Sequence, residues 1–127
     1  MAEALLREML REKNCHVSSA GLFALVNYPP AVYAAEVMLE KKGIDISAHR
    51  ARQATREMFL ASDLILVMEN RQKNQIEFDL PVVCGRVLRV GQWRGTDIPD
   101  PYRRPKIIFE QTLLLLDECL TAWSNRL

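Results

Sequence analysis

The feature that most constrains this chain is a five-residue apolar run, Leu64-Ile65-Leu66-Val67-Met68, set between Asp63 and Glu69. A strand with one wet face alternates apolar and polar side chains, whereas a run without a polar position has both faces covered. The run therefore predicts a central strand of a parallel sheet, with helices packed above and below it.

Around that run the apolar spacing is helical. Residues 1–13 place Ala4, Leu5, Met9 and Leu10 on one face, with Glu3 and Arg7 paired at i,i+4 on the other. Residues 15–20 are short, β-tolerant and close on Gly21, which predicts a brief strand. Residues 22–30 are apolar but irregular, and Tyr28-Pro29-Pro30 ends any strand while preparing the next helix. That helix is predicted over 31–42 from Val32, Ala35, Met38 and Leu39, with Gly43 as its stop. A further helix is predicted over 49–61, on Ala51, Ala54, Met58 and Phe59. A polar-rich helix over 69–78 and a second strand over 86–90 follow. The chain closes on a helix over 107–126 whose stripe is Ile108, Leu113, Leu116, Leu120 and Trp123. Helices alternating with short apolar strands define an α/β layer architecture with a parallel sheet. The chain nevertheless opens on a helix that no strand leads into.

Composition excludes several classes of function. The 127 residues suit one domain, 1–127, with no repeat, linker or low-complexity stretch. Lys and Arg number 17 against 16 Asp and Glu, a net charge of +1, so no bulk field holds nucleic acid or an anionic membrane. No apolar run approaches the ~20 residues that a bilayer crossing needs. The amphipathic, acid-bearing start is unlike a signal peptide, so a cytoplasmic protein without membrane insertion is expected. Cys15, Cys84 and Cys119 are odd in number, lack CxxC spacing and have only two histidines for company. They are expected to be buried thiols, with no disulfide framework, metal site or other cofactor.

Self-sufficient catalytic motifs are absent: there is no GxGxxG, Walker loop, GxSxG or HExxH. No cysteine is followed by an arginine six residues later, the spacing that lets a thiolate attack a phosphate cradled by a loop and an Arg. What remains is Asp97-Ile98-Pro99-Asp100-Pro101-Tyr102-Arg103-Arg104, where two prolines stiffen a loop around an acid and arginines raise the local potential. Such an acid is either a proton donor to a leaving group or part of a turn that carries a cap. His49, at the start of a predicted helix, is either a hydrogen-bonded structural histidine or a base. Ser19 either orders a loop or forms a turn. Phe23, Leu25 and Tyr28 either form the apolar lip of a pocket for an aromatic ligand or pack a loop. His16 beside Cys15 is not a catalytic pair, because neighbours on a strand point to opposite faces.

In order along the chain, MAEALLREML, Ser19-Ala20-Gly21-Leu22, Ser47-Ala48-His49-Arg50-Ala51-Arg52-Gln53, Asp63-Leu64-Ile65-Leu66-Val67-Met68-Glu69 and Ile98-Pro99-Asp100-Pro101-Tyr102 form a specific set. The set resembles the low-molecular-weight protein tyrosine phosphatases, above all the bacterial members linked to capsule and exopolysaccharide systems, from Met1 to about Trp123. The resemblance implies a three-layer sandwich on a four-stranded parallel sheet in the order 2-1-3-4. It implies hydrolysis of phosphotyrosine esters in two steps, through a phosphocysteine formed in a Cys-x5-Arg-Ser loop and with an aspartate protonating the tyrosyl oxygen. By motif, Asp100 is that general acid, Tyr102 walls the phosphotyrosine slot, and Leu25 or Phe23 forms its other lip. His49 and Ser19 match positions that hydrogen-bond the phosphate loop. The implied partner is a phosphotyrosine protein, such as a bacterial tyrosine kinase of a polysaccharide export system.

One departure is large. The family's first strand and its Cys-x5-Arg-Ser-Pro loop precede a helix beginning Met-Ala-Glu or similar, and this sequence starts at that methionine. The expectation is a domain lacking its innermost strand, nucleophile and transition-state arginine, inactive towards aryl phosphates and prone to self-association. Two alternatives stand beside it. One is a non-catalytic pseudophosphatase that binds a partner through the 23–28 and 97–104 loops. The other is an arsenate reductase, disfavoured because Cys84 has no neighbouring cysteine in the sequence.

Overall fold

A computed structural model describes residues 1–127. The apolar run forms strand β1, Ile65–Val67, paired in parallel with β2, Val87–Arg89, in the register Ile65 to Val87, Leu66 to Leu88 and Val67 to Arg89. Helices α1 (Ala2–Met9) and α2 (Val32–Lys42) precede the sheet together with a short α3 (Arg56–Ala61). Helix α4 (Asn70–Asp79) crosses from β1 to β2, and α5 (Lys106–Ser124) closes the chain. Short 3-10 turns lie at Pro81–Val83 and Gln92–Arg94.

Two cores explain why the run has no polar position. Leu66 and Met68 pack into a cluster built from α1, α2 and α5, with Leu5, Val37, Met38, Phe109, Leu113 and Leu120 at its heart. Ile65 and Val67 turn to the opposite face, joining Val87 with Ile76, Leu80 and Val83 from α4 and the turn after it. The result is the expected three-layer sandwich, helices on both faces of a parallel sheet. Trp123, near the end of α5, stitches the layers by donating from Nε1 to the carbonyls of Arg89 and Val90 at 3.1 and 3.0 Å. Its ring meets Trp93 edge-on, 5.3 Å between centroids.

Four expectations need correction. Residues 15–20 form no paired strand. Only Gly21 makes a parallel bridge, to Gln53, and the carbonyls of Val17 and Ser19 accept from the Arg7 and Arg52 guanidiniums instead of a neighbouring strand. The helix expected over 49–61 begins at Arg56. Ala51 and Ala54 donate their N–H groups to the carbonyls of Tyr28 and Gly21, which holds 51–54 extended until the Thr55 hydroxyl caps α3 by accepting from the Met58 N–H. On α2 the buried face is Ala34, Val37 and Met38, because α5 lies on that side, and Val32 and Leu39 face solvent. Of the cysteines, only Cys119 is buried, where desolvation raises its thiol pKa, and Cys15 and Cys84 are exposed.

The remaining boundaries follow local chemistry. Gly43 ends α2 at φ 65° in the left-handed region and returns its N–H to the Leu39 carbonyl. At the start of α4 the Gln72 side chain accepts from the N–H groups of both Met68 and Glu69, at 3.0 Å each, locking the turn from β1 into the helix. No helix is long and apolar enough to cross a membrane.

Candidate active site

The acid-bearing loop hangs from the closed side of the sheet. Ile98, 2% exposed, donates its N–H to the Met68 carbonyl at 2.9 Å, just beyond the end of β1. Asp97 Oδ1 accepts from Arg89 Nη1 at 3.0 Å and from the Asn70 N–H at 3.1 Å, tying the loop to β2 and to the first turn of α4. Beyond these anchors Pro99 and Pro101 hold Asp100 outward, and its Oδ1 accepts from the Tyr102 N–H at 3.0 Å. Arg103 has a positive φ of 64°, unusual for a side chain with a Cβ, and its guanidinium carbon lies 5.3 Å from the centre of the Tyr102 ring.

Asp100 and Tyr102 border a cleft of about 450 Å³, whose other walls include Tyr28, Pro30, His49 and Met68. Aromatic rings, a histidine and a loop carboxyl thus converge on one hollow, the arrangement expected of a site that grips a flat ligand and moves a proton. Phe23 and Leu25 do not line it; Phe23 is 92% exposed, and Tyr28 provides the aromatic wall from that segment. Asn27, at φ 69°, makes the turn that points Tyr28 inward, its N–H donating to the Ala51 carbonyl.

His49 and Ser19 meet through a residue that sequence reasoning passed over. Glu3, in the first turn of α1, accepts from Ser19 Oγ at 3.2 Å and places Oε2 3.4 Å from His49 Nδ1. Arg7 lies 3.5 Å from the same carboxylate. Glu3 is only 16% exposed, so three elements distant in sequence are pinned to one carboxylate, and of these residues His49 lines the cleft. Sequence spacing showed only the i,i+4 partnership of Glu3 with Arg7; the signal for the rest is tertiary. None of the three cysteines lines the cleft. No group of three or more His, Cys, Asp or Glu side chains is placed to hold a metal ion.

Comparison with known proteins places this frame and its acid loop in a family. The chain matches the low molecular weight phosphotyrosine protein phosphatase family over residues 1–127, and it belongs to that family. It is 43% identical over 127 residues to the probable low molecular weight protein-tyrosine-phosphatase EpsP of Ralstonia solanacearum, covering 100% of this chain and 86% of the relative. It is 36% identical over 128 residues to the low molecular weight protein-tyrosine-phosphatase Etp of Escherichia coli K12, covering 100% of this chain and 84% of that one. Among solved structures, Vibrio vulnificus Wzb in complex with benzylphosphonate superposes with a TM-score of 0.91 at 35% identity, covering 99% of this chain and 88% of that chain.

Proposed function

We propose that this chain carries the proton-donor and substrate-wall portion of a phosphotyrosine monoester hydrolase. The observation that supports the reading best is the shared cleft of Asp100, Tyr102 and His49, with the acid loop anchored at both Met68 and Arg89. In this reading Asp100 protonates the tyrosyl oxygen as the phosphorus–oxygen bond breaks, so that phenol rather than phenolate departs. Tyr102 and Tyr28 flank the aryl ring, with Phe23 and Leu25 forming an outer apolar lip for the protein that bears it. His49 and Ser19, joined through Glu3, brace the phosphate-binding loop. The substrate class is a phosphotyrosine protein, and the family resemblance narrows it to a bacterial tyrosine kinase of a polysaccharide export system. Two exposed free thiols suit a reducing, cytoplasmic setting.

Covalent catalysis in the family runs through a thiolate, and within residues 1–127 none is suitably placed. Cys119 is buried in α5, Cys15 and Cys84 lie outside the cleft, and no cysteine precedes an arginine by six positions. These residues alone are therefore expected to leave p-nitrophenyl phosphate unhydrolysed; a cysteine-dependent rate near that of an ordinary phosphatase overturns this. A chimera with a Cys-x5-Arg-Ser-Pro strand and loop joined ahead of Met1 is expected to turn over. In that chimera Asp100→Ala should lower kcat by about 10²- to 10⁴-fold, the usual worth of a general acid. An unchanged kcat removes Asp100 from the mechanism.

A non-catalytic binding module is the second reading, supported by the exposed Phe23, Leu25 and Val26 beside a cleft without a thiol. It predicts saturable binding of a phosphotyrosine peptide by the 127-residue chain with no turnover.

A further inference from the structure

The acid loop ends on two arginines that the fold itself does not employ. The cations around it are matched: Arg89 pairs with Asp97 and Arg71 with Glu69, each at 3.0 Å, and Lys106 reaches Glu36 and Glu40 at 3.2 and 2.9 Å. Arg103 and Arg104 are exposed, pair with no carboxylate and donate no side-chain hydrogen bond. They are nevertheless held in place. The Arg104 N–H donates to the Pro101 carbonyl at 2.9 Å, which closes the turn 101–104. Arg103, at φ 64°, lays its guanidinium carbon 5.3 Å from the centre of the Tyr102 ring, which borders the cleft. Backbone outliers of this kind gather where a site fixes them. Glu69 and Asp100 are the only carboxylates that line the cleft, and Glu69 is spent on Arg71. Two guanidiniums thus stand against Asp100 alone, in a chain whose net charge is only +1.

We propose that Arg103 and Arg104 form a carboxylate-reading rim that selects segments with acidic residues beside the tyrosine, a role that rests on the cleft being a phosphotyrosine site. A polypeptide that inserts a tyrosyl side chain against Tyr102 must lay its neighbouring residues across the turn that carries the two arginines. A guanidinium presents a planar fork of donors that matches a carboxylate, and a fork without an intramolecular partner gives up no existing bond to make that contact. Lysine-rich or arginine-rich segments meet like charge there and are rejected. Because both arginines stand in water, each contact is weak and screened by salt, so the rim adjusts selectivity between segments rather than supplying the main affinity.

The test uses the 127-residue chain and four fluorescein-labelled peptides read by anisotropy. Two carry acidic flanks, Gly-Asp-Glu-Tyr-Glu-Asp-Gly with the tyrosine free or phosphorylated, and two carry the amide counterparts, Gly-Asn-Gln-Tyr-Gln-Asn-Gly. Acidic flanks are expected to tighten binding about fivefold, the worth of two exposed ion pairs, whether or not the tyrosine is phosphorylated. The preference should fall below about twofold when salt is raised from about 20 mM to about 0.5 M. The double variant Arg103→Gln with Arg104→Gln should erase it at low salt, and Arg104→Glu alone should turn it towards the amide peptides. Lys41→Gln, in the last turn of α2 and also without a carboxylate partner, removes one charge elsewhere and should leave the preference intact. Equal binding of acidic and amide peptides overturns the proposal, and so does a failure of all four to bind. An undiminished preference in the double variant, or an equal loss in Lys41→Gln, overturns it as well, because the effect is then general charge attraction. Equal binding of the free and phosphorylated forms counts instead against the proposed function, and the flank comparison still decides the rim.

Discussion

Strand β1 has two unlike edges. On the β2 edge the ladder is continued past Val67 by Val90, the loop that follows is tied by Arg89 to Asp97 and by the Ile98 N–H to the Met68 carbonyl, and α5 closes over the join with Trp123. On the other edge the facing segment 15–28 is largely exposed; it is bonded through its backbone to residues 51–54 and by side chains reaching over from Arg7, Arg52 and Gln53, and not to β1. The difference bears directly on the cleft, because its two halves hang from different edges. Asp100 and Tyr102 descend from the firmly packed edge, whereas Tyr28 sits on the more exposed one. The loop that carries Asp100 and Tyr102 therefore belongs to the firmer part of the molecule, and the segment that carries Tyr28 to the more exposed one.

Substitutions on the two sides should separate accordingly. The largest loss is expected from Leu120→Ala, a fully buried α5 residue, at about 3 kcal/mol in urea unfolding. Gly91→Ala comes next. A Cβ there would lie 2.1 Å from the Thr96 carbonyl oxygen, so the turn that launches the acid loop must open, at about 2 kcal/mol. On the loose side, Gln53→Ala removes the bonds from Nε2 to the Leu22 carbonyl and from the Ala24 N–H to Oε1, and is expected to cost about 1 kcal/mol. Phe23→Ser, at a side chain almost wholly in water, should change stability by less than about 0.5 kcal/mol. If Gln53→Ala proves as damaging as Leu120→Ala, the two edges are equally firm and the comparison fails.

The smallest effect concerns the α4 side. Partial desolvation, then the neighbouring Glu77 carboxylate, raise the Cys84 thiol above its ordinary pKa, so less thiolate is present at a given pH. Glu77→Gln removes the second cause and should speed iodoacetamide labelling of Cys84 severalfold at about pH 8.5, with Cys15 unchanged. Equal labelling rates in the variant and the parent would remove Glu77 from the account.

The same contrast governs what could be read from the sequence. The run at 64–68 carried its own answer, since only burial on both faces permits five apolar residues in succession at a strand. Helices α4 and α5 were legible for similar reasons, one from its polar pattern after β1 and the other from its long stripe. The 15–20 and 49–54 segments were not, because extended backbone takes its form from its partners, and those partners lie about thirty residues apart in the chain. Asp100 was legible because prolines and arginines mark its loop locally. Glu3 was not, because its meeting with Ser19 and His49 exists only after α1 has docked.

The tryptophan pair gives the molecule a built-in optical reporter of limited view. Trp123 and Trp93 lie edge to face, with the Arg126 guanidinium 4.0 Å over the Trp93 ring, and both sit at the junction of β2 and α5. Intrinsic emission will therefore track separation of that junction and stay silent while residues 15–28 detach. A melt followed by tryptophan fluorescence should run later than one followed by amide exchange at Ser18 or Ala20, and the gap between them measures how independently the two edges of β1 come apart.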